Sequence, residues 1–348
     1  MSRIMQFWAL IVDCFREALD RKLFWVMVGI SALIAATMAC ISFDETGVSV
    51  LFGKWHMTSD LLNTRNPKAP AYVGSILTRY IGDLYIGWIG IIFALIATAG
   101  IFPALMERGA VDVVLSKPMS RTLIFLGKYL GGMVFVALQA AIFVGLTFLV
   151  VGSRWGLWIW PYLWCIPLVV ILFSYIYAFC ALFGVITRNA MAALLLSILA
   201  WVGIYIPQVT YETLLTLPAM GVEIGDNWIN LSKAAKLIVP KTRDITHIAG
   251  RLIGASTATE VFTGDIDDTP PPSPRRSLEK PIGGGAETPQ HRHASSDQPV
   301  MIQQDIRKSI EAERKIADVN LLESIGSSLL FEAVILLIAI RKFNQRDF

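Results

Sequence analysis

The chain has 348 residues, of which 55% are hydrophobic and only 16% are charged. Soluble domains carry about 25% charged residues, so this composition excludes an ordinary water-soluble globular protein. The 30 basic and 27 acidic side chains nearly balance, and the formal charge of +3 argues against a nucleic-acid-binding protein.

The first predicted element is an amphipathic helix over 3–22, within an interfacial segment 1–23. Apolar residues recur there at three- and four-residue steps, and charged residues lie on the opposite face, which is typical of an amphipathic helix. The apolar positions are Trp8, Ile11, Val12, Phe15 and Leu19, and the charged ones are Asp13, Arg16, Glu17 and Asp20. Such a helix lies in the plane of the lipid headgroups; a second interpretation is an elbow that also contacts a cytoplasmic partner.

Six apolar stretches approach the roughly 20 residues with which a helix crosses a bilayer. They are 24–43, 84–106, 129–153, 160–186, 189–211 and 324–340. We therefore predict an all-α integral membrane protein with six transmembrane helices, five of them within 24–211 and the sixth, with a tail, within 324–348. Only Thr187 and the charged Arg188 lie between the fourth and fifth stretches, which predicts a tight helical hairpin.

The basic residues of the short loops predict the orientation, because such loops are enriched in Lys and Arg on the cytoplasmic side. Residues 107–121, Arg188 and the tail at Arg341, Lys342 and Arg346 carry this charge, whereas the loop between spans 3 and 4 offers only Arg154. Both termini are therefore predicted to be cytoplasmic, in a multi-pass protein of the plasma (inner) membrane.

Residues 212–323 form the predicted external region. Its first part, about 228–254, has a helical stripe at Trp228, Leu231, Ala235 and Ile238 that is broken at Pro240, as in a re-entrant or interfacial helix pair. Residues 262–300 are rich in Pro and Gly and poor in large apolar residues, which predicts a disordered insert. Helical spacing resumes over 301–322 and is expected to continue into the sixth span.

Glu332 is the one ionisable residue inside a predicted span. Such a group is costly in lipid and faces the bundle interior or water. Two interpretations remain open: a place on a substrate or proton route, or a hydrogen-bonded contact between helices. The sequence predicts no metal site, since Cys14, Cys40, Cys165 and Cys180 are not spaced as ligands.

The loop between the second and third spans, 107–121, has a pattern of its own. The chain is predicted to leave the membrane through a charged pair followed by Gly109. A short helix with apolar Val111, Val114 and Leu115 is predicted over about 110–117, and Pro118 ends this helix. Ser120 is then placed to cap the next helix. Apolar residues on a cytosolic connector indicate a docking site.

The run ERGAVDVVLSKPMSRTLIFLGKYLGG resembles the first cytoplasmic loop and following helix of ABC-2 type transporter permeases, especially the branch associated with nitrous-oxide-reductase maturation. The matching positions include Glu107, Arg108, Gly109, Asp112, Leu115, Ser116, Pro118, Ser120, Arg121, Gly127 and Lys128. The resemblance implies that this loop is a coupling helix seated in a groove of a separate ATPase. The docking residues expected on this basis are Glu107, Arg108, Gly109, Asp112, Leu115, Ser116, Lys117, Pro118 and Arg121.

The chain has no phosphate-binding loop of its own, because Gly127-Lys128-Tyr129 lacks the earlier Gly and the Ser or Thr of that motif. It holds no catalytic constellation, so ATP and Mg are expected in the partner subunit. The resulting hypothesis is a permease subunit of an ATP-binding-cassette transporter, paired with a second permease subunit. The resemblance to ABC-2 permeases implies that it is an exporter and that spans 2 and 5 border the transport path. The alternatives are a gradient-driven secondary transporter and a membrane scaffold that transports nothing.

Overall fold

The computed structural model describes residues 22–44, 47–51, 54–58, 87–106, 120–156, 158–217, 225–253 and 321–345, together with Val12, Arg16, Leu19 and Asp20. These last four residues are helical, with Val12 and Leu19 half-buried and Arg16 and Asp20 exposed, as the predicted amphipathic pattern requires. The insert 262–300, the stretch 301–320 and most of the 107–121 loop lie outside the described residues.

Among the described residues, six helical segments are long and apolar enough to cross a membrane, which confirms the predicted fold class. Span 1 is Lys22–Ala39, span 2 is Gly87–Leu105, span 3 is Arg121–Trp155, span 4 is Trp160–Thr187, span 5 is Ala190–Thr216 and span 6 is the helix Leu321–Asn344. Span 2 consists of the helices Gly90–Thr98 and Ile101–Leu105, and span 4 of a 3₁₀ turn Trp160–Trp164 followed by the helix Cys165–Thr187.

Span 4 lies at the centre of the bundle. It packs against spans 3, 5 and 6 and contacts span 2. Its Phe173, Tyr175, Ile176 and Tyr177 are almost completely buried. Spans 1, 5 and 6 instead expose most of their apolar side chains, as helices that face lipid or another subunit do.

The ends of the spans fall on two sides, which we call the loop side and the far side. The loop side carries Met106 and Ser120, which flank the 107–119 segment in the chain, together with the 188–189 turn and the end of span 6. There Ser120 caps span 3 as predicted, since its hydroxyl accepts a hydrogen bond from Leu123 N at 3.3 Å. Arg188 ends span 4 in the left-handed conformation at φ 53°, and Asn189 caps span 5 by accepting from Met191 N at 2.9 Å.

The far side carries two features between the spans. The first is a small antiparallel sheet, which the sequence analysis missed: β1 (Ile41–Asp44), β2 (Gly47–Val50) and β3 (Trp55–Thr58) in the order β1-β2-β3. Gly47 has φ 152°, which a side chain would disfavour, at the tight turn between β1 and β2. Span 3 holds the start of this sheet, because Trp155 Nε1 donates to Ile41 O at 2.9 Å and Arg154 Nε donates to Ala39 O at 3.0 Å.

The second far-side feature is a helix pair, Asp226–Ile238 and Thr242–Ile253, joined at Pro240. The predicted pair therefore exists, with its break at the predicted proline. The stripe expected to pack is partly exposed, however, since Trp228 and Leu231 are 65% and 62% accessible. The second helix makes the closer contact with the bundle, where it buries Ile245, Ile248 and Ala249 against spans 4, 5 and 6.

Candidate functional site

The loop predicted to dock a partner joins the bundle at a junction between spans 3 and 6. Of its proposed docking residues the structure describes Arg121, at the first position of span 3. Arg121 Nη1 donates to Asn344 O at 3.4 Å, and Asn344 Nδ2 donates to Thr122 Oγ1 at 3.2 Å. One helical turn further, the rings of Phe125 and Phe343 lie 5.7 Å apart. The end of span 6 is thus attached to the helix that follows the loop.

Glu332 lies midway along span 6, and its side chain faces the bundle interior with 8% exposure. Tyr129 of span 3 donates its hydroxyl to Glu332 Oε1 at 2.7 Å, and Ser174 Oγ of span 4 donates to Oε2 at 2.8 Å. Both carboxyl oxygens therefore have partners, and both partners are neutral hydroxyl groups. This geometry supports the interpretation of Glu332 as a contact that joins spans 3, 4 and 6.

The hydroxyl partners of Glu332 have second acceptors. Tyr129 also lies 3.0 Å from Ser174 O, and Ser174 Oγ lies 2.8 Å from Ile171 O. Because each hydroxyl has one hydrogen, a proton on Oε2 could be donated to Ser174 Oγ while Ser174 donates to Ile171 O. The network can thus accommodate the carboxyl group with or without its proton.

The polar side of span 6 continues from Glu332 towards the far side at four-residue steps. Ser328 Oγ accepts from Lys241 N at 2.9 Å, and Ser324 Oγ donates to Asp244 Oδ2 at 2.9 Å. Asp244 also pairs with Lys236 Nζ at 2.8 Å. Residues at positions i, i+4 and i+8 share one helix face, so Ser324, Ser328 and Glu332 form a single polar stripe.

Span 5 holds the same helix pair from its other side, through Gln208. This side chain is fully buried; its Nε2 donates to Pro240 O at 2.9 Å and its Oε1 accepts from Arg243 N at 2.8 Å. The backbone groups at the Pro240 break are therefore satisfied by side chains of spans 5 and 6. Such satisfaction is what permits non-helical backbone inside a membrane protein.

An ion-paired cluster surrounds Arg243 at this contact. Arg243 Nη2 lies 2.6 Å from Glu212 Oε2, Nη1 donates to Tyr205 OH at 2.6 Å, and His247 Nε2 lies 3.1 Å from Glu212 Oε1. Burial alone lowers the pKa of Arg243, but its hydrogen bond and charge pairing with Glu212 raise that pKa above its ordinary value. Arg243 thus stays a cation that attaches the second helix of the pair to span 5.

The sequence analysis did not identify this cluster as a site. A usable signal was present, since Lys236, Lys241, Arg243, Asp244 and His247 lie close together in the sequence, and Glu212 directly follows the predicted fifth stretch 189–211. Charged residues beside a membrane bundle are expected to pair with one another. Within the described residues, no three His, Cys, Asp or Glu side chains are grouped as metal ligands.

Six apolar spans, a buried carboxyl contact and ion-paired helices on one side define a multi-pass membrane protein. Residues 8–348 match the sequence model of the family described as ABC-2 family transporter protein. The chain belongs to this family and is a membrane component of an ABC transporter. A comparison with curated proteins finds no match.

Proposed function

We propose that the chain is the permease subunit of an ATP-driven exporter, coupled through loop 107–121 to a separate ATPase subunit that binds ATP and Mg. The match of 8–348 to the ABC-2 family carries this proposal. The chain's own residues support it, because they include no phosphate-binding motif. The resemblance of the loop to the nitrous-oxide-reductase branch favours a role close to that of those permeases.

In this proposal the loop side is cytoplasmic, as are both termini, and the membrane is the plasma (inner) membrane. The basic residues at Arg108, Lys117, Arg121 and Arg188 support this orientation. A second permease subunit, identical or homologous, completes the transporter. The apolar face of span 5, where Leu195, Leu199 and Ile206 are exposed, offers a surface for that subunit beside the transport path.

The proposed mechanism is mechanical. ATP-driven closure of the ATPase pair displaces the docked loops, and each displacement reaches span 3 at its capped first turn. Span 3 is one continuous helix of 35 residues, so it can move as a rigid rod. Span 6 moves with it, because Arg121 and Thr122 contact Asn344 at one end and Tyr129 contacts Glu332 at the middle.

The polar stripe of span 6 extends this connection to the far side. Ser328 and Ser324 contact the helix pair, whose second helix is fixed to span 5 by Arg243. Displacement at the loop therefore has a continuous route of hydrogen bonds and ion pairs through spans 3 and 6 to the helix pair and span 5.

The docking role of the loop is tested with Glu107→Lys and Leu115→Asp in the purified complex with its ATPase. We expect either change to weaken docking and to lower coupled ATPase activity about tenfold, the effect of losing roughly 1.4 kcal/mol of binding. Arg346→Glu, a charge reversal on the same predicted side but outside the loop, should leave activity unchanged. Normal activity in both loop variants, or uphill transport by the chain alone, would contradict the proposal.

A further inference from the structure

A small cavity lies inside the bundle, between spans 1, 2, 3 and 4. Its volume is about 40 Å³, and it is partly open. Apolar side chains form most of its lining, among them Met27, Ile91, Ala94, Val136 and Phe143. One polar side chain, Gln139, also lines it, midway along span 3.

The amide orientation of Gln139 follows from its neighbour Ser31. Gln139 Nε2 donates to Ser31 Oγ at 3.2 Å, while Ser31 Oγ donates to Met27 O at 2.9 Å. Because the hydroxyl hydrogen of Ser31 is directed at Met27 O, the Ser31 oxygen accepts the hydrogen bond from Gln139. The nitrogen of the amide therefore faces Ser31, and the oxygen is the atom left for other partners.

Gln139 Oε1 has no hydrogen-bond partner in the part of the chain that the structure describes. The side chain is 6% exposed and lies midway along span 3. A buried amide oxygen without a partner costs roughly 1–3 kcal/mol. A donor that enters the cavity would remove this cost.

The side chains that line the cavity determine which kind of molecule can donate a hydrogen bond to Gln139 Oε1. A buried water is held by two to four polar partners, and Gln139 is the one polar side chain among the described lining residues. A molecule with one hydroxyl group followed by an apolar carbon chain fits this combination better than water does. The cavity has room for the hydroxyl group and the first carbons, and its open side leaves a way out for the remaining chain.

We propose that this cavity binds the hydroxyl end of a membrane-soluble alcohol, with the hydroxyl group donating to Gln139 Oε1 and the adjoining carbons filling the apolar space. The site goes beyond the proposed transport role and does not depend on coupling to an ATPase. Its ligand class is a long-chain primary alcohol or another amphiphile with a single terminal hydroxyl group.

The proposal is tested by photolabelling the full-length chain in membranes with a diazirine derivative of octan-1-ol, followed by peptide mass spectrometry. We expect labels on the peptides that carry 90–94 and 136–144, saturable by excess octan-1-ol. The matching diazirine derivative of octane lacks the hydroxyl donor and should label these peptides about fivefold less, the effect of one neutral hydrogen bond.

Two variants distinguish the contribution of the hydrogen bond to Gln139 from that of the apolar cavity volume. Gln139→Met removes the acceptor at similar volume and should reduce labelling about fivefold, and Ala94→Leu should fill the cavity and abolish labelling. Thr98→Val is the matched control, because it removes a buried hydroxyl one turn along span 2 without lining the cavity. The proposal would be overturned if the octan-1-ol probe gave no labelling, if the octanol and octane probes labelled equally, or if Gln139→Met were labelled as strongly as the unmodified chain.

Discussion

At the scale of single residues, Glu332 shows how a costly side chain is accommodated in a membrane bundle. The sequence predicted an inward-facing carboxyl group at this position but could not name its partners. Tyr129 and Ser174 are supplied by two other spans, and they lie 203 and 158 positions away in the chain. No periodicity within span 6 contains that information.

Substitutions at Tyr129 and Glu332 test the contact interpretation. Glu332→Gln should retain transport and thermal stability, because a glutamine oxygen still accepts from Tyr129 and its nitrogen can donate to Ser174 Oγ. Tyr129→Phe should lower stability by about 1–3 kcal/mol, since it leaves Glu332 Oε1 buried without its donor. Thermal unfolding of the purified chain and vesicle transport are the measurements.

The double variant Tyr129→Phe with Glu332→Leu provides the control. The loss caused by Tyr129→Phe should shrink when Glu332 is already absent, because no carboxyl oxygen is then stranded. A correctly assembled Glu332→Gln protein with lowered transport would instead place Glu332 on a route for substrate or protons.

Arg243 illustrates a different limit at the same scale. Its charge is visible in the sequence, but the partners Glu212 and Tyr205 come from span 5, and the pairing depends on how the helix pair folds back. The sequence analysis placed Arg243 in the predicted external region 212–323 without naming a partner, and the structure half-buries its side chain against the bundle.

At the scale of elements, the six spans were predictable because each is a long apolar run, and length alone separates such runs from core helices. The ends of the spans differ from the predicted ends where polar residues continue a helix beyond its apolar stretch. Span 5 extends to Thr216 and span 3 begins at Arg121, each beyond its apolar stretch. The sheet was missed since its strands have four residues each, too few for a clear alternating pattern.

The approach of spans 3 and 4 depends on one small residue. A Cβ atom at Gly132 would lie 2.5 Å from the Tyr177 hydroxyl oxygen and 2.8 Å from its ring. Tyr177 cannot easily move aside, because it is completely buried and stacks on Tyr129 and Phe173 at 5.0 and 4.9 Å. Small residues allow helices in a membrane to approach each other closely, and Gly132 does so here.

Gly132→Ala should therefore destabilise the bundle by about 1–3 kcal/mol through overpacking. Gly145→Ala is the matched control in the same helix, since no atom of the described residues lies within 4 Å of the added methyl group. It should leave stability unchanged or raise it slightly through helix propensity. Equal melting temperatures for the two variants would show that the contact at Gly132 is not tight in the membrane.

At the scale of the whole molecule, the two sides of the bundle have different roles in the proposed function. The loop side receives force, and the far side holds the sheet and the ion-paired helix pair. The alternation of spans predicted from sequence already placed loop 107–121 and the region that holds the helix pair on opposite sides. Their attachment to each other through the polar stripe of span 6 required three-dimensional packing and was not predictable.

The proposed orientation is tested by cysteine accessibility in intact cells, in a chain whose four native cysteines are replaced. Lys54→Cys, on the far side between the strands, should react with a membrane-impermeant maleimide. Gln345→Cys, at the end of span 6, should react only after permeabilisation. The reverse pattern would invert the orientation and place loop 107–121 beyond the reach of any cytosolic ATPase.

The connection between spans 4 and 5 has a consequence for biosynthesis. Only Arg188 and Asn189 separate the two helices, and both residues serve as caps. A link this short cannot reach around a third helix, so the two segments must leave the insertion machinery together, already folded against each other. The most buried span of the protein would then enter the lipid accompanied by a neighbour, before the remaining helices arrive.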